Sequence, residues 1–219
     1  MTYSIAARCP RTGMFGVSVT TSSIAVGSRC AFVRAGVGAV LTQHRTDPRL
    51  GSRGLDLLAS GLSATATVEA LTRDNPAIGW RQLLVVDTRG GTAWFHGERV
   101  KSVHSAHTGV QCVAGGNIIR NTNVTKAMVE AFDADPALAL PERLLRAMEA
   151  GHAAGGEPKL IKSAALLVAD KESFAYVDLR VDYDQRPLEQ LRWLWEIYEP
   201  SATTYVARAI DPDSVPGAG

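Results

Sequence analysis

Thr2-Tyr3-Ser4-Ile5-Ala6-Ala7-Arg8 and Met14-Phe15-Gly16-Val17-Ser18-Val19-Thr20-Thr21 decide how this chain is read. Both runs have strand character, and Cys9-Pro10-Arg11-Thr12-Gly13 between them places Pro and Gly where a turn needs them. They predict an opening β-hairpin. Thr2 also carries chemistry. With Met1 removed, its hydroxyl and a free α-amino group sit on one residue, and an α-amine of pKa about 8 can accept the hydroxyl's proton near neutral pH.

Outward from the hairpin, the Val-, Ala- and Gly-rich run from Ala31 to Thr42 predicts a strand with close backbone approaches at its glycines, interrupted by one charge, Arg34. Helical patterns follow over 50–59 and, capped by Ser63, to about Asp74. Segments 81–87 and 92–96 flank Thr88-Arg89-Gly90-Gly91, a hairpin signal. Val110 to Val113 is a short strand running into Ala114-Gly115-Gly116-Asn117. Helices are expected at 124–132, capped by Asn123, and from Pro141 to about Ala150; strands at 163–169 and 174–181; a closing helix at 188–198. The order predicts an α+β protein with two sheets sandwiched between helices, not the strand-helix alternation of a doubly wound parallel sheet. One domain is expected over 1–200, with 201–219 as a tail.

Composition excludes several classes of function. Lys plus Arg (23) nearly equals Asp plus Glu (22), and no basic block occurs, so neither nucleic acid nor an anionic membrane is an expected partner. No signal segment or membrane-spanning apolar stretch is seen, and a cytoplasmic location is expected. Three widely spaced cysteines, Cys9, Cys30 and Cys112, fit neither a disulfide framework nor a four-cysteine zinc site. Phosphate-loop, dinucleotide and Gly-x-Ser-x-Gly motifs are missing, so no cofactor is expected. His104 and His107 with Cys112 offer a weak zinc alternative, and read better as loop histidines.

Five stretches taken together resemble the bacterial family called domain of unknown function 1028. They are residues 2–8, Arg34 to Gln43, Gly115-Gly116-Asn117, Glu149 to Glu157, and Ser163 to Val168 with Val177 to Val181. The resemblance implies a four-layer αββα sandwich of two antiparallel sheets, similar to the N-terminal-nucleophile (Ntn) hydrolases. It implies Thr2 as nucleophile, Arg34 as a cation beside it, and Glu157 and Ser163 orienting the amine. Taken singly, Arg34 can equally pair with a structural carboxylate, Glu157 cap a loop and Ser163 end a strand. The expected substrate contacts are Ser4, which is also a reserve nucleophile, Gln43, His44, Gly116 and Asn117, with backbone amides near 42–45 as an oxyanion hole. The chain departs from the family pattern at Gly115 and Lys162, where Gln is common, and at Glu157, where Asp is common; Lys162 is thereby a second candidate cation.

The activity expected is metal-independent hydrolysis of an amide-type carbon–nitrogen bond in a small metabolite. A non-catalytic binding or assembly role is the alternative, and the helical faces with an aromatic closing helix favour a homo-oligomer.

Overall fold

A computed structural model describes residues 1–215. The opening hairpin forms as the sequence predicts, from β1 (Thr2–Arg8) and β2 (Phe15–Thr21). The Ala31-to-Thr42 run is not one strand. It folds back as β3 (Ala31–Arg34) and β4 (Gly38–Gln43), because Gly36 and Gly38 take φ values of 67° and 156° that only glycine adopts readily. The short helix α1 (Gly27–Cys30) precedes β3. Helices α2 (Arg49–Ala59) and α3 (Ala64–Thr72) follow, the latter capped as predicted by Ser63, whose side chain accepts from the Ala66 amide.

Strands β5 (Gln82–Val86) and β6 (Thr92–His96) form the second hairpin. His104 and His107 lie on a strand rather than a loop: β7 (His104–Gly109) pairs with β8 (Cys112–Asn117). Helices α4 (Asn123–Asp133) and α5 (Leu140–Ala153), strands β9 (Ser163–Ala169) and β10 (Val177–Val181), and helix α6 (Pro187–Ile210) complete the order. Helix α6 keeps Pro200 inside it and runs across residue 200, so residues 201–210 of the expected C-terminal extension or tail are helical. The last part of that predicted tail, 216–219, lies outside the described residues.

The strands make two antiparallel sheets, ordered β10-β9-β2-β1-β8-β7 and β3-β4-β5-β6. Strand periodicity sorts β1 into two faces. Tyr3, Ile5 and Ala7 pack against Met128, Phe132, Leu144 and Met148 of α4 and α5. Ala6, on the other face, joins Val17 and Val19 against Leu41, Leu84 and Val86 of the second sheet. That sheet's far side presents Val40 and Val85 to Leu55, Leu58 and Val68 of α2 and α3. Both faces of β1 are therefore covered, which is why its sequence alternates less sharply than a half-exposed strand.

The ends of the strands are as informative as their faces. Thr2 pairs with Asn117, Thr21 with Ser163, and Gln43 with Gln82. All these pairs lie at one end of the sandwich, leaving the Arg34–Gly38 turn at the opposite end. Helix α6 is tied to α5 by Arg192, whose Nε and Nη2 reach the two Glu149 oxygens at 2.8 and 3.0 Å and whose Nη1 donates to Glu142.

Candidate active site

At that end a cavity of about 330 Å³ opens beside the chain's start, and its wall includes Thr2, Thr21, Arg29, His44, Arg45 and Trp80. A larger cavity of about 460 Å³ contains Glu157 and His152 but not Thr2. The smaller one is the candidate site because it holds the nucleophile candidate.

Thr2 is 6% exposed. Its Oγ1 donates to the Met1 carbonyl and lies 3.4 Å from Thr21 Oγ1, which also donates to the Met1 carbonyl. Thr21 arrives there because β2 is antiparallel to β1, so the end of one strand faces the start of the other. Met1 therefore sits over the hydroxyl that is expected to react. Its amine is pushed to lower basicity by burial, against the opposing charge of Glu157.

Glu157 is 5% exposed, with Oε2 accepting from the Ser22 amide at 3.0 Å and Oε1 without a partner. Burial raises its carboxyl to about 7, and the nearby N-terminal charge and the Ser22 bond only partly offset this. Ser163 Oγ donates to the Ser23 carbonyl at 2.7 Å and accepts from the Val26 amide at 3.1 Å. Glu157 and Ser163 thus both fasten the 22–26 loop that leads into α1, and Ser163 makes no hydrogen bond to Thr2.

Arg34 is not brought to Thr2. It pairs on the surface with Asp56 at 2.9 Å, at the far end of β4, which spans about 17 Å between Gly38 and Gln43 at strand rise. Lys162 also turns away, its Nζ 3.3 Å from the Tyr183 hydroxyl. The cations on the cavity wall are instead Arg29 and Arg45, neither of which composition or motif distinguishes from the other arginines.

Of the expected substrate contacts, only His44 lines the cavity. Its Nδ1 must be protonated to donate to the Trp80 carbonyl at 2.7 Å, and burial lowers the ring's pKa, so Nε2 carries a free lone pair. His44 and Arg45 take φ values of 58° and 48°, two consecutive non-glycine residues in the left-handed region, each costing on the order of 1–2 kcal/mol.

Ser4, Gln43, Gly116 and Asn117 form a buried layer between the sheets, beneath the cavity. Ser4 is wholly buried and donates to Gln43 Oε1 at 2.9 Å, which withdraws it from the role of reserve nucleophile. The hub of this layer, Gln82, carries no motif and went unread in the sequence. Its Oε1 accepts from Gln43 at 2.6 Å and Asn117 at 2.9 Å; its Nε2 donates to the Gly116 carbonyl at 3.0 Å and to His96 Nδ1 at 2.7 Å. His96 is held neutral, its pKa lowered to about 4 by burial and by His104, whose ring lies 4.7 Å away. His104 and His107 do not converge with Cys112. His107 bonds Thr125 of α4, on the side of the sheet opposite His96.

The fold is a mixed α+β arrangement of two antiparallel sheets flanked by helices, and the candidate site sits at one end of it. The chain belongs to the family of unknown function DUF1028, which it matches over residues 2–191. The crystal structure of protein SPO2555 from Silicibacter pomeroyi, also DUF1028, is similar to it, with a TM-score of 0.83 and 30% identity over 90% of this chain and 88% of that one. Anbu (ancestral beta-subunit) from Yersinia bercovieri superposes over 99% of both chains at a TM-score of only 0.38 and 12% identity. A search of curated proteins returned no match. No helix among the described residues is long and apolar enough to cross a membrane.

Proposed function

We propose that the protein hydrolyses an amide-type carbon–nitrogen bond in a small metabolite, with Thr2 as an N-terminal nucleophile after Met1 is removed. The layer order of helices, sheet, sheet and helices is read on this proposal as the four-layer αββα sandwich of the Ntn hydrolases. The observation that carries it is the Thr2 hydroxyl on the wall of a concave site, 3.4 Å from the Thr21 hydroxyl.

The Thr2 amine takes the Oγ1 proton as Oγ1 attacks the substrate carbonyl, forming a carbon–oxygen bond and an oxyanion. Collapse breaks the carbon–nitrogen bond, and the ammonium returns its proton to the leaving nitrogen. Water then attacks the Thr2 ester by the same route in reverse order, releasing the acid and restoring the hydroxyl. Glu157 serves as a positioning residue, holding the 22–26 loop and the charge of the amine. Arg34 has no part in this scheme.

A screen with small amides, ureides and cyclic imides tests the proposal, with Thr2→Ala as control; undiminished turnover by the variant overturns it. The alternative, a non-catalytic binding protein, is favoured by the Met1 carbonyl occupying both hydroxyls. Intact mass of the native protein separates the two, since a retained Met1 leaves no free threonine amine.

A further inference from the structure

The wall of the Thr2 cavity is cationic beyond what a threonine nucleophile requires. Among the described residues Arg29 and Arg45 line it, and no Asp or Glu does. Some arginines elsewhere pair with carboxylates, as Arg34 does with Asp56 and Arg192 with Glu142 and Glu149, and others, such as Arg8 and Arg11, bond neutral oxygens. Among the described residues neither Arg29 nor Arg45 makes an ion pair. Arg29 is anchored by one nitrogen, Nη1, which donates to the Ile24 and Ala25 carbonyls, the latter at 2.7 Å. Its other nitrogens have no protein acceptor there. Arg45 sits over Trp80, its Cζ 3.8 Å from the ring centroid, with no hydrogen bond to protein among the described residues. Stacking fixes the plane of a guanidinium while leaving its N–H edge free for a planar acceptor.

Two features show that this arrangement is built. The left-handed backbone at His44 and Arg45 is what carries Arg45 over Trp80, and such strain persists only where surrounding contacts enforce it. The 22–26 loop that positions Arg29 is held by Glu157 and Ser163. We propose that the cavity selects substrates bearing a carboxylate, gripped by Arg29 and Arg45 while the scissile carbonyl meets Thr2. The cavity measures about 330 Å³ with Met1 still on its wall, and the space, which the loss of Met1 enlarges, suits a small N-acylated or N-carbamoylated amino acid. This substrate class rests on the reading of Thr2 as nucleophile, but its test reads binding.

Calorimetry with mature Thr2→Ala protein, its loss of Met1 verified by mass, uses N-acetylglycine and N-carbamoyl-β-alanine, their primary amides, and inorganic phosphate. The acids are expected to bind at least about tenfold more tightly than the amides, the equivalent of one charge-assisted hydrogen bond. Arg29→Gln and Arg45→Gln each weaken acid binding by about tenfold or more and leave amide binding within about twofold. Arg45→Lys, which keeps the charge without the fork, falls between. Arg89→Gln, in the turn after β5 at the far end of the sheet, changes nothing. Equal binding of acid and amide, no binding by either acid, insensitivity to both arginine variants, or preference for phosphate overturns the inference. Acid-selective binding in a protein that hydrolyses nothing supports the carboxylate grip and sinks the hydrolase reading alone.

Discussion

The hydroxyl oxygens of Thr2 and Thr21 lie 3.4 Å apart, at the facing ends of the two strands that begin the fold, and both are directed at the Met1 carbonyl. A second hydroxyl so close can steady the nucleophile and relay its proton. Thr21→Val keeps the side chain's shape and removes only the oxygen, so kcat should fall by about 10- to 100-fold with the fold unchanged. An unaltered kcat would show that Thr21 is a bystander. Thr2→Ala should eliminate turnover.

Glu157 sets a pH dependence of stability. Its folded pKa, about 7, lies above its ordinary 4.5, so the unfolded chain gives up this proton at lower pH than the folded one does. The folded state therefore loses stability as pH rises from about 4.5 to about 7, by on the order of 3 kcal/mol. Glu157→Gln should flatten this part of the profile, measured as urea midpoints across that range. A profile that keeps its slope in the variant assigns the effect to another group.

Gln82 satisfies all four of its amide hydrogen-bonding sites within the layer beneath the cavity. Gln82→Leu leaves buried amides of Gln43 and Asn117 without their acceptor, and should cost on the order of 2–4 kcal/mol in chemical unfolding. A loss below about 0.5 kcal/mol would mean that water or rotamer change repairs the network.

Gly115 faces Leu84 across the sheet interface, and a Cβ there would lie 2.6 Å from Leu84 Cδ2. Gly115→Ala should destabilise the protein by about 1–3 kcal/mol, with partial recovery in the Gly115→Ala, Leu84→Val double variant. Additive losses would place the strain elsewhere.

Arg34→Gln should leave turnover within about twofold and stability within about 1 kcal/mol, because only an exposed ion pair is lost. A collapse of activity would restore Arg34 to the site and require a different packing of β3.

Where side-chain period and turn chemistry agreed, sequence and structure coincide, as in the opening hairpin and the Ser63 cap. Strand β7 escaped because His104-Ser105-Ala106-His107-Thr108-Gly109 has no large apolar side chain and sits at a sheet edge, where alternation is weak. The closing helix, expected over 188–198, runs on through Pro200 to Ile210, and Ala202 beyond the proline is fully buried, so packing carries the helix through. Thr2 was legible from its place at the start of a strand, and Glu157 and Ser163 only through the family resemblance. Thr21, Arg29, Arg45 and Trp80 were not, since strand pairing, a four-residue helix and a strained loop bring them together without any spacing motif.

The seat that holds the Met1 carbonyl has a practical reach. On the proposed mechanism, any residue left ahead of Thr2, including an N-terminal affinity tag, would present its own carbonyl to the same two hydroxyls and act as a tethered inhibitor. Recombinant material should therefore carry its tag at the C-terminus, since an assay on N-terminally extended protein reports how well the host trims the chain rather than what the chain can do.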